Sequence, residues 1–287
     1  MEHMHFHYFT NDKDFLFFIQ YGYHDTDMPI HYHFDFSELV IVLSGTATHI
    51  VNDEQYFIKK GDVFVINSRT SHGYKNTSDF KICNIMYKSE NLFKARNDIE
   101  KSAGYHALFI IEPFLAKKHN FNSLLKLTFS DFNKVEEIIS CMIEEYQGKT
   151  QGYQTLIHSY FMELVVLFSR KYNLTDTKSK DNLINTAKSI SYIENHFKEQ
   201  ITLPDIARKA NISTRHFTRI FSATYKTTPM NYIVKLRMQY ACSLLKKSNL
   251  NISDIAFESG FNDSNYFTRQ FKISYGITPR QYRLDNK

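Results

Sequence analysis

The sequence predicts an α+β protein in two parts: a small β-barrel backed by helices, then an all-helical region built from two similar units joined by a long helix. Three observations predict it. Short β-type runs separated by turn signals fill residues 15–87. Residues 183–287 repeat themselves: Asp205-Ile206-Ala207 returns as Asp254-Ile255-Ala256, Phe217-Thr218-Arg219-Ile220-Phe221 as Phe267-Thr268-Arg269-Gln270-Phe271, and Thr228-Pro229 with Tyr232 as Thr278-Pro279 with Tyr282. The offset is 49 for the first echo and 50 for the others, so the second copy carries one extra residue within Gly260-Phe261-Asn262-Asp263. Charge divides with the pattern, since residues 183–287 hold 16 Lys+Arg and 7 Asp+Glu, net +9, against 19 and 23 before them, net −4.

At 287 residues with 43% hydrophobic composition the chain has material for two cores. No apolar stretch reaches the roughly 20 residues that span a bilayer, and His3, His5, His7 and Asp12 do not form a signal peptide's basic-then-apolar order. A cytoplasmic protein with no membrane partner is expected. Cys83, Cys141 and Cys242 are far apart and form no CxxC, so neither a disulfide framework nor a cysteine zinc site is indicated. A basic region on an acidic one is the footprint of a polyanion-binding module attached to a part with another task.

In the first part, Val40 to Leu43 runs into Ser44-Gly45, Thr46 to Val51 into Asn52-Asp53, and Gln55 to Ile58 into Lys60-Gly61-Asp62, with Val63 to Ile66 following. Evenly spaced short strands of this kind suit a barrel or double-sheet roll that closes its own edges. His31 and His33 alternate with Tyr32, so an extended strand projects both imidazoles from one face. Glu38, Gly45, Gly61, His72 and Asn76 follow. Three readings of His31, His33, Glu38 and His72 stand open. The imidazoles and carboxylate suit a first-row divalent ion; the same groups suit a polar small molecule inside an apolar barrel; or the histidines are barrel-mouth residues that make hydrogen bonds. His49 and the N-terminal histidines are given no role. The spacing resembles the paired motifs of the cupin superfamily, in which the corresponding positions commonly hold a metal. Asn67 and Arg69 stand where the second motif usually has Pro and Gly.

Residues 101–122 carry no clear pattern. Asp131 is expected to cap a helix through Val135, Ile138, Ile139, Met142 and Ile143, and a second helix is expected from Tyr153 to Tyr172. Their apolar faces suit packing against the barrel, and the breadth of the second also suits self-association between two copies. The domain plan is therefore a barrel over 1–130, a helical packing or dimerisation segment over 131–172, a linker over 173–182 (NLTDTKSKDN) and the repeated region over 183–287.

Each repeat copy reads as a short helix, a tight turn and a second helix with a buried aromatic stripe and a polar outer face, which is a helix-turn-helix. In the first copy Thr202-Leu203-Pro204-Asp205 supplies a cap and an early proline, Asn211-Ile212 the turn and Ser213 the next cap. In the second, Ser253 and Asp263 are the expected caps and Gly260 the turn. Pro229 opens a helix to about Lys247, roughly 28 Å long. That length approaches the ~34 Å between successive major-groove faces on one side of B-DNA. His216, beside the first stripe, reads as a packing residue.

Residues 183–284 resemble the DNA-binding domain of the AraC/XylS family of transcription regulators, through Asp254-Ile255-Ala256, Gly260-Phe261, Tyr266 to Lys272, Gly276 and Thr278 to Arg283. His31-Tyr32-His33, Glu38 to Gly45, Gly61-Asp62 and Asn84 to Tyr87 are similar to the sugar-sensing members, the rhamnose-operon activators. By position the resemblance implies base-facing roles for Thr214, Arg215, Thr218 and Arg219, and for Ser264, Asn265, Thr268 and Arg269. It implies effector contacts at His31, His33, Glu38 and His72, a carbohydrate effector, a homodimer, and double-stranded DNA and RNA polymerase as partners. No catalytic residue and no cofactor is expected, with a divalent ion at the histidine cluster as the alternative. A cupin metalloenzyme with an appended DNA-binding domain and a ligand-independent regulator are the rival readings.

Overall fold

The computed structural model describes residues 2–52, 54–68, 70–88, 98–115, 125–172 and 181–286. It forms two compact units, Met1–Ala187 and Lys188–Lys287. The expected linker lies outside the described residues over 173–180, as do Asp53 and Arg69.

Among the described residues, eight strands build the first unit: β1 (Glu2–Met4), β2 (Phe17–His24), β3 (Met28–His33), β4 (Ser37–Val51), β5 (Glu54–Lys59), β6 (Asp62–Ile66), β7 (Ser71–Tyr87) and β8 (Leu125–Lys126). Their order is β1-β3-β7-β4-β6-β8, with β2 also on β7 and β5 also on β4. The long strands β4 and β7 pair with each other, and each takes two different neighbours along its length. They bend the sheet around a core of Val40, Val42, Ala47, Val51, Ile58, Phe64, Tyr74, Phe80 and Ile82.

One expectation is corrected here. Ser44-Gly45 does not turn the chain; it is a bulge within β4, where the register against β7 shifts repeatedly between Val42 and Thr48. Gly45 has φ +69°, and a Cβ there would lie 2.2 Å from the backbone oxygens of Ser78 and Asp79. Only glycine fits a backbone approach that close. The bulge also switches which alternate residues face inward: Glu38, Val40 and Val42 before it, Ala47, His49 and Val51 after it.

The unpatterned region contains α1, residues 103–115, whose middle, His106–Ile111, is a π-helix. Next come α2 (Phe129–Gly148) and α3 (Tyr153–Tyr172). The cap of α2 is Thr128, not Asp131: the Thr128 Oγ1 accepts from the Asp131 backbone N–H and donates to its Oδ2 at 2.6 Å. Asp131 sits three residues in, where a carboxylate supports the helix N-terminus. Phe132, Val135, Ile139 and Met142 of α2 are buried together with Ile157, Phe161, Leu164, Val165 and Phe168 of α3. Phe161 sits edge-on to Phe17 and against Tyr87 on the outer face of the sheet. Core packing thus accounts for most of the broad apolar band, while Leu156 stays exposed at 43%.

The helical region comprises α4 (Asp181–His196), α5 (Leu203–Lys209), α6 (Thr214–Tyr225), α7 (Pro229–Lys247), α8 (Ile252–Glu258), α9 (Ser264–Tyr275) and α10 (Pro279–Asn286). Thr202 and Asp205 form a reciprocal capping box at α5. Asn251 caps α8 by accepting from Asp254 N–H at 2.8 Å, so Ser253 lies one residue inside the helix instead of at its start. The aromatic frame repeats in three dimensions. Phe217 to Phe221 and Phe267 to Phe271 are both 5.7 Å between ring centroids; Phe221 to Tyr225 is 4.6 Å and Phe271 to Tyr275 is 4.7 Å; Phe221 to Tyr232 is 5.4 Å and Phe271 to Tyr282 is 5.5 Å.

Candidate nucleic-acid interface and barrel cluster

The second helix of each repeat copy, α6 and α9, begins at a side-chain cap: Ser213 accepts from His216 N–H and Asp263 from Tyr266 N–H. Burial of Phe217, Ile220 and Phe221 fixes the rotation of α6, and burial of Phe267 and Phe271 fixes that of α9. Rotation about these stripes leaves Arg215 and Arg219 exposed, with Thr214 and Thr218 half-buried beside them. The second copy matches: Asn265 and Arg269 are exposed, Ser264 and Thr268 half-buried.

All eight sequence-predicted residues therefore fall on the non-core faces of two equivalent helices. Thr268 Oγ1 donates to the Ser264 carbonyl at 2.9 Å, which leaves its methyl as the group to meet a thymine methyl. Each repeat arginine rests on the residue three before it. Arg219 Nη2 is 3.4 Å from His216 Nδ1, and the Arg269 guanidinium lies 5.5 Å from the Tyr266 ring centre. No ion pair to Arg215, Arg219 or Arg269 is found among the described residues. An arginine without a carboxylate partner keeps its donors for a guanine edge or a phosphate. His216, expected as packing, is half-buried and neighbours Arg219.

In the barrel, β3 and β7 place His31 directly opposite His72. His31, His33, Glu38 and His72 are all at most 2% exposed. His72 Nε2 is 3.2 Å from His33 Nε2, and both nitrogens are 3.7 Å from Glu38 Oε2. Sequence reasoning missed His49, which is fully buried with Nε2 3.4 Å from His72 Nδ1 and its ring stacked on Phe64. Its separation from Glu38 is odd, which for a regular strand means opposite faces; the bulge at Gly45 reverses that. Asn76, by contrast, stands apart, exposed within β7 at φ +50° with Nδ2 3.4 Å from Thr48 Oγ1.

Burial keeps Glu38, His33, His49 and His72 neutral. Desolvation pushes Glu38 up to about 8 and holds His33 and His49 down near 3, with His31 adding a smaller repulsion to both histidines. His72 is lowered for the same first reason. The histidine contribution to stability is present above their unfolded value of 6.5 and is lost as pH falls toward 3. Glu38 works in the opposite sense: folded protein holds its proton longer than unfolded chain, so stability falls as pH rises from 4.5 to about 8. Several histidines outweigh one carboxyl in acid, and only Glu38 acts above pH 7. The metal-free first unit is therefore expected to be most stable at about pH 6.5–7. Glu38→Gln is expected to flatten the alkaline limb while keeping the acid one. Thermal unfolding in chelator from pH 5 to 9 checks this, and an unchanged alkaline limb in the variant would sink it.

The donor set also fits a divalent ion. One ligand atom from each of His31, His33 and His72 lies within 4.8 Å of the others. His31 Nδ1 is 3.1 Å from the Pro29 carbonyl, an outer contact that would leave the other ring nitrogen to hold such an ion.

Comparison with known proteins places both parts. Residues 17–86 match the cupin domain model and residues 206–285 a helix-turn-helix domain model. The chain is 30% identical over 256 residues to the HTH-type transcriptional activator RhaS of Mannheimia succiniciproducens, covering 89% of each. It is 29% identical over 261 residues to RhaS of Escherichia coli O6:H1, covering 90% of this chain and 88% of the relative. Among solved structures, the C-terminal domain of the two-component response regulator yesN from Fusobacterium nucleatum is 33% identical with a TM-score of 0.32, covering 33% of this chain and 93% of that one. No helix among the described residues is long and apolar enough to cross a membrane. Similarity that runs through both the cupin and helix-turn-helix parts of an activator places the chain in the AraC/XylS family, as a DNA-binding transcription regulator.

Proposed function

We propose that this regulator binds a small neutral carbohydrate in the barrel and in response changes how it engages DNA and RNA polymerase as an activator in the cytoplasm. The observation that carries this is the buried donor and acceptor cluster of His31, His33, Glu38, His49 and His72 in an apolar, aromatic barrel, with His33, His49, His72 and Glu38 held neutral by desolvation. The uncharged imidazoles of His33, His49 and His72 and a protonated Glu38 carboxyl suit hydroxyl groups. Resemblance to the sugar-sensing members supports the same reading.

Thr214, Arg215, Thr218 and Arg219 read one DNA subsite and Ser264, Asn265, Thr268 and Arg269 the other. Their differing outward residues make the site non-palindromic. Two copies pair through the outer side of α3, where Leu156 is exposed with Tyr160 one turn on, and so read two such sites. The sugar acts by favouring one of two dimer or domain arrangements.

A thermal-shift screen of the full chain against neutral sugars, uronic acids and divalent metals tests the effector. At a hundredfold excess over Kd a ligand stabilises by about 2.7 kcal/mol. For a unit of this size that raises Tm by about 5–10 °C. A neutral sugar is expected to give such a shift and His72→Ala to abolish it; shifts by uronic acids alone would reject the neutral-ligand reading.

A second reading has His31, His33, His72 and Glu38 holding a divalent ion that rigidifies the barrel, favoured by their convergent ligand atoms. Near-stoichiometric metal retained after purification, with no sugar response, would establish that reading instead.

A further inference from the structure

The extra residue of the second repeat copy can now be located. Ile212 N–H bonds to the Ala207 carbonyl at 3.2 Å and Phe261 N–H to the Ala256 carbonyl at 3.0 Å, so Ile212 and Phe261 are equivalent. Ser213 and Asp263 are equivalent as caps. Asn262 is therefore the added residue, and the first copy has nothing in its place.

Asn262 Nδ2 donates to Gln200 Oε1 at 3.0 Å, and Gln200 Nε2 donates back to the Gly260 carbonyl at 3.2 Å. Gln200 stands two residues before Thr202, the cap of α5. From the other side Arg237 of α7 donates Nε to the Phe197 carbonyl at 2.6 Å and Nη2 to the Glu199 carbonyl at 2.8 Å, with its guanidinium 5.7 Å from the centre of the Phe261 ring. Gly260 has φ +90°, and a Cβ there would lie 2.6 Å from the Lys198 carbonyl oxygen and 2.9 Å from Arg237 Nε. The turn of the second copy is thus clasped to the segment that leads into the first.

Two helical units joined only through α7 retain freedom at the loops flanking it, and a second point of attachment removes a rotation. We propose that Arg237, Gln200 and Asn262 form a clasp that sets the separation and angle of α6 and α9, and so decide which spacing between the two DNA subsites this chain accepts. They are positioning residues, none of them on a recognition helix. The proposal rests on α6 and α9 being the recognition helices.

To test it, the full-length protein selects duplexes from a randomised DNA library, and the enriched two-subsite sequence is remade with spacing altered by −1, 0 and +1 base pair. Fluorescence anisotropy then compares the wild type with Arg237→Ala, Asn262→Ala and Arg237→Lys. The wild type is expected to favour its own spacing by about tenfold, the scale of one charge-assisted hydrogen bond. Arg237→Ala is expected to cut that preference to about threefold or less, and Asn262→Ala part of the way, with base preference inside each subsite unchanged. Arg237→Lys, which keeps a donor, is expected to restore part of it. Folded variants that keep the wild-type spacing ratio would overturn the clasp. Asn262→Ala, at an exposed side chain, decides the matter should Arg237→Ala fail to fold. Failure of the recognition-helix reading shows differently, as unchanged base preference in Arg219→Ala and Arg269→Ala.

Discussion

Phe271→Ala is expected to destabilise the C-terminal unit by about 3–5 kcal/mol, the range for deleting a buried aromatic ring. The side chain is 0% exposed and contacts three rings, Phe267, Tyr275 and Tyr282. Its loss leaves a cavity between α9, α7 and α10 that a helix of twelve residues cannot collapse to fill. Domains of this size are stable by about 5–15 kcal/mol, so the variant is left close to unfolding at physiological temperature. Thermal unfolding followed by circular dichroism is expected to show the C-terminal transition falling by at least about 12 °C. Phe221→Ala is expected to act alike, because its ring neighbours stand at nearly the same distances in the first copy. A loss below about 1 kcal/mol in both would mean that the aromatic frame does not hold the repeat together.

Arg219→Ala and Arg269→Ala are each expected to weaken binding to the selected DNA by about 1–3 kcal/mol while leaving Tm unchanged, since both side chains are exposed. Each is expected to relax base preference in a different subsite. The double variant is expected to lose the sum, on the proposed reading that α6 and α9 contact separate base pairs. Binding isotherms on single-base variants of the DNA check this. Uniform weakening with base preference intact would reassign the arginines to phosphate, and would lower the salt dependence of binding instead.

The helical unit was legible residue by residue. Its elements are short-range objects: caps, a proline in the first turn, an αL glycine and a 3.6-residue apolar stripe all act within a few residues. Two caps escaped, Asn251 for Ser253 here and Thr128 for Asp131 in the first unit, because the cap and the first-turn positions favour the same polar side chains and only the hydrogen bond tells them apart. In the barrel, the alternation of His31 and His33 placed them on one face, and their meeting with Glu38 and His72 followed the expected grouping. His49 escaped because the period-2 rule holds only along an unbroken ladder, and the bulge at Gly45 is created by the approach of Ser78 and Asp79 from another strand.

The sequence by itself determined the two-part plan, the repeat, the second helix of each copy and the outward residues on it, because each depends on spacing within one element. Tertiary structure alone decided that His49 joins the cluster, that burial leaves Glu38 protonated, and that the repeat's extra residue is Asn262 holding Gln200. Desolvation and contacts between residues 62 positions apart depend on what the rest of the chain brings alongside, which no local pattern records.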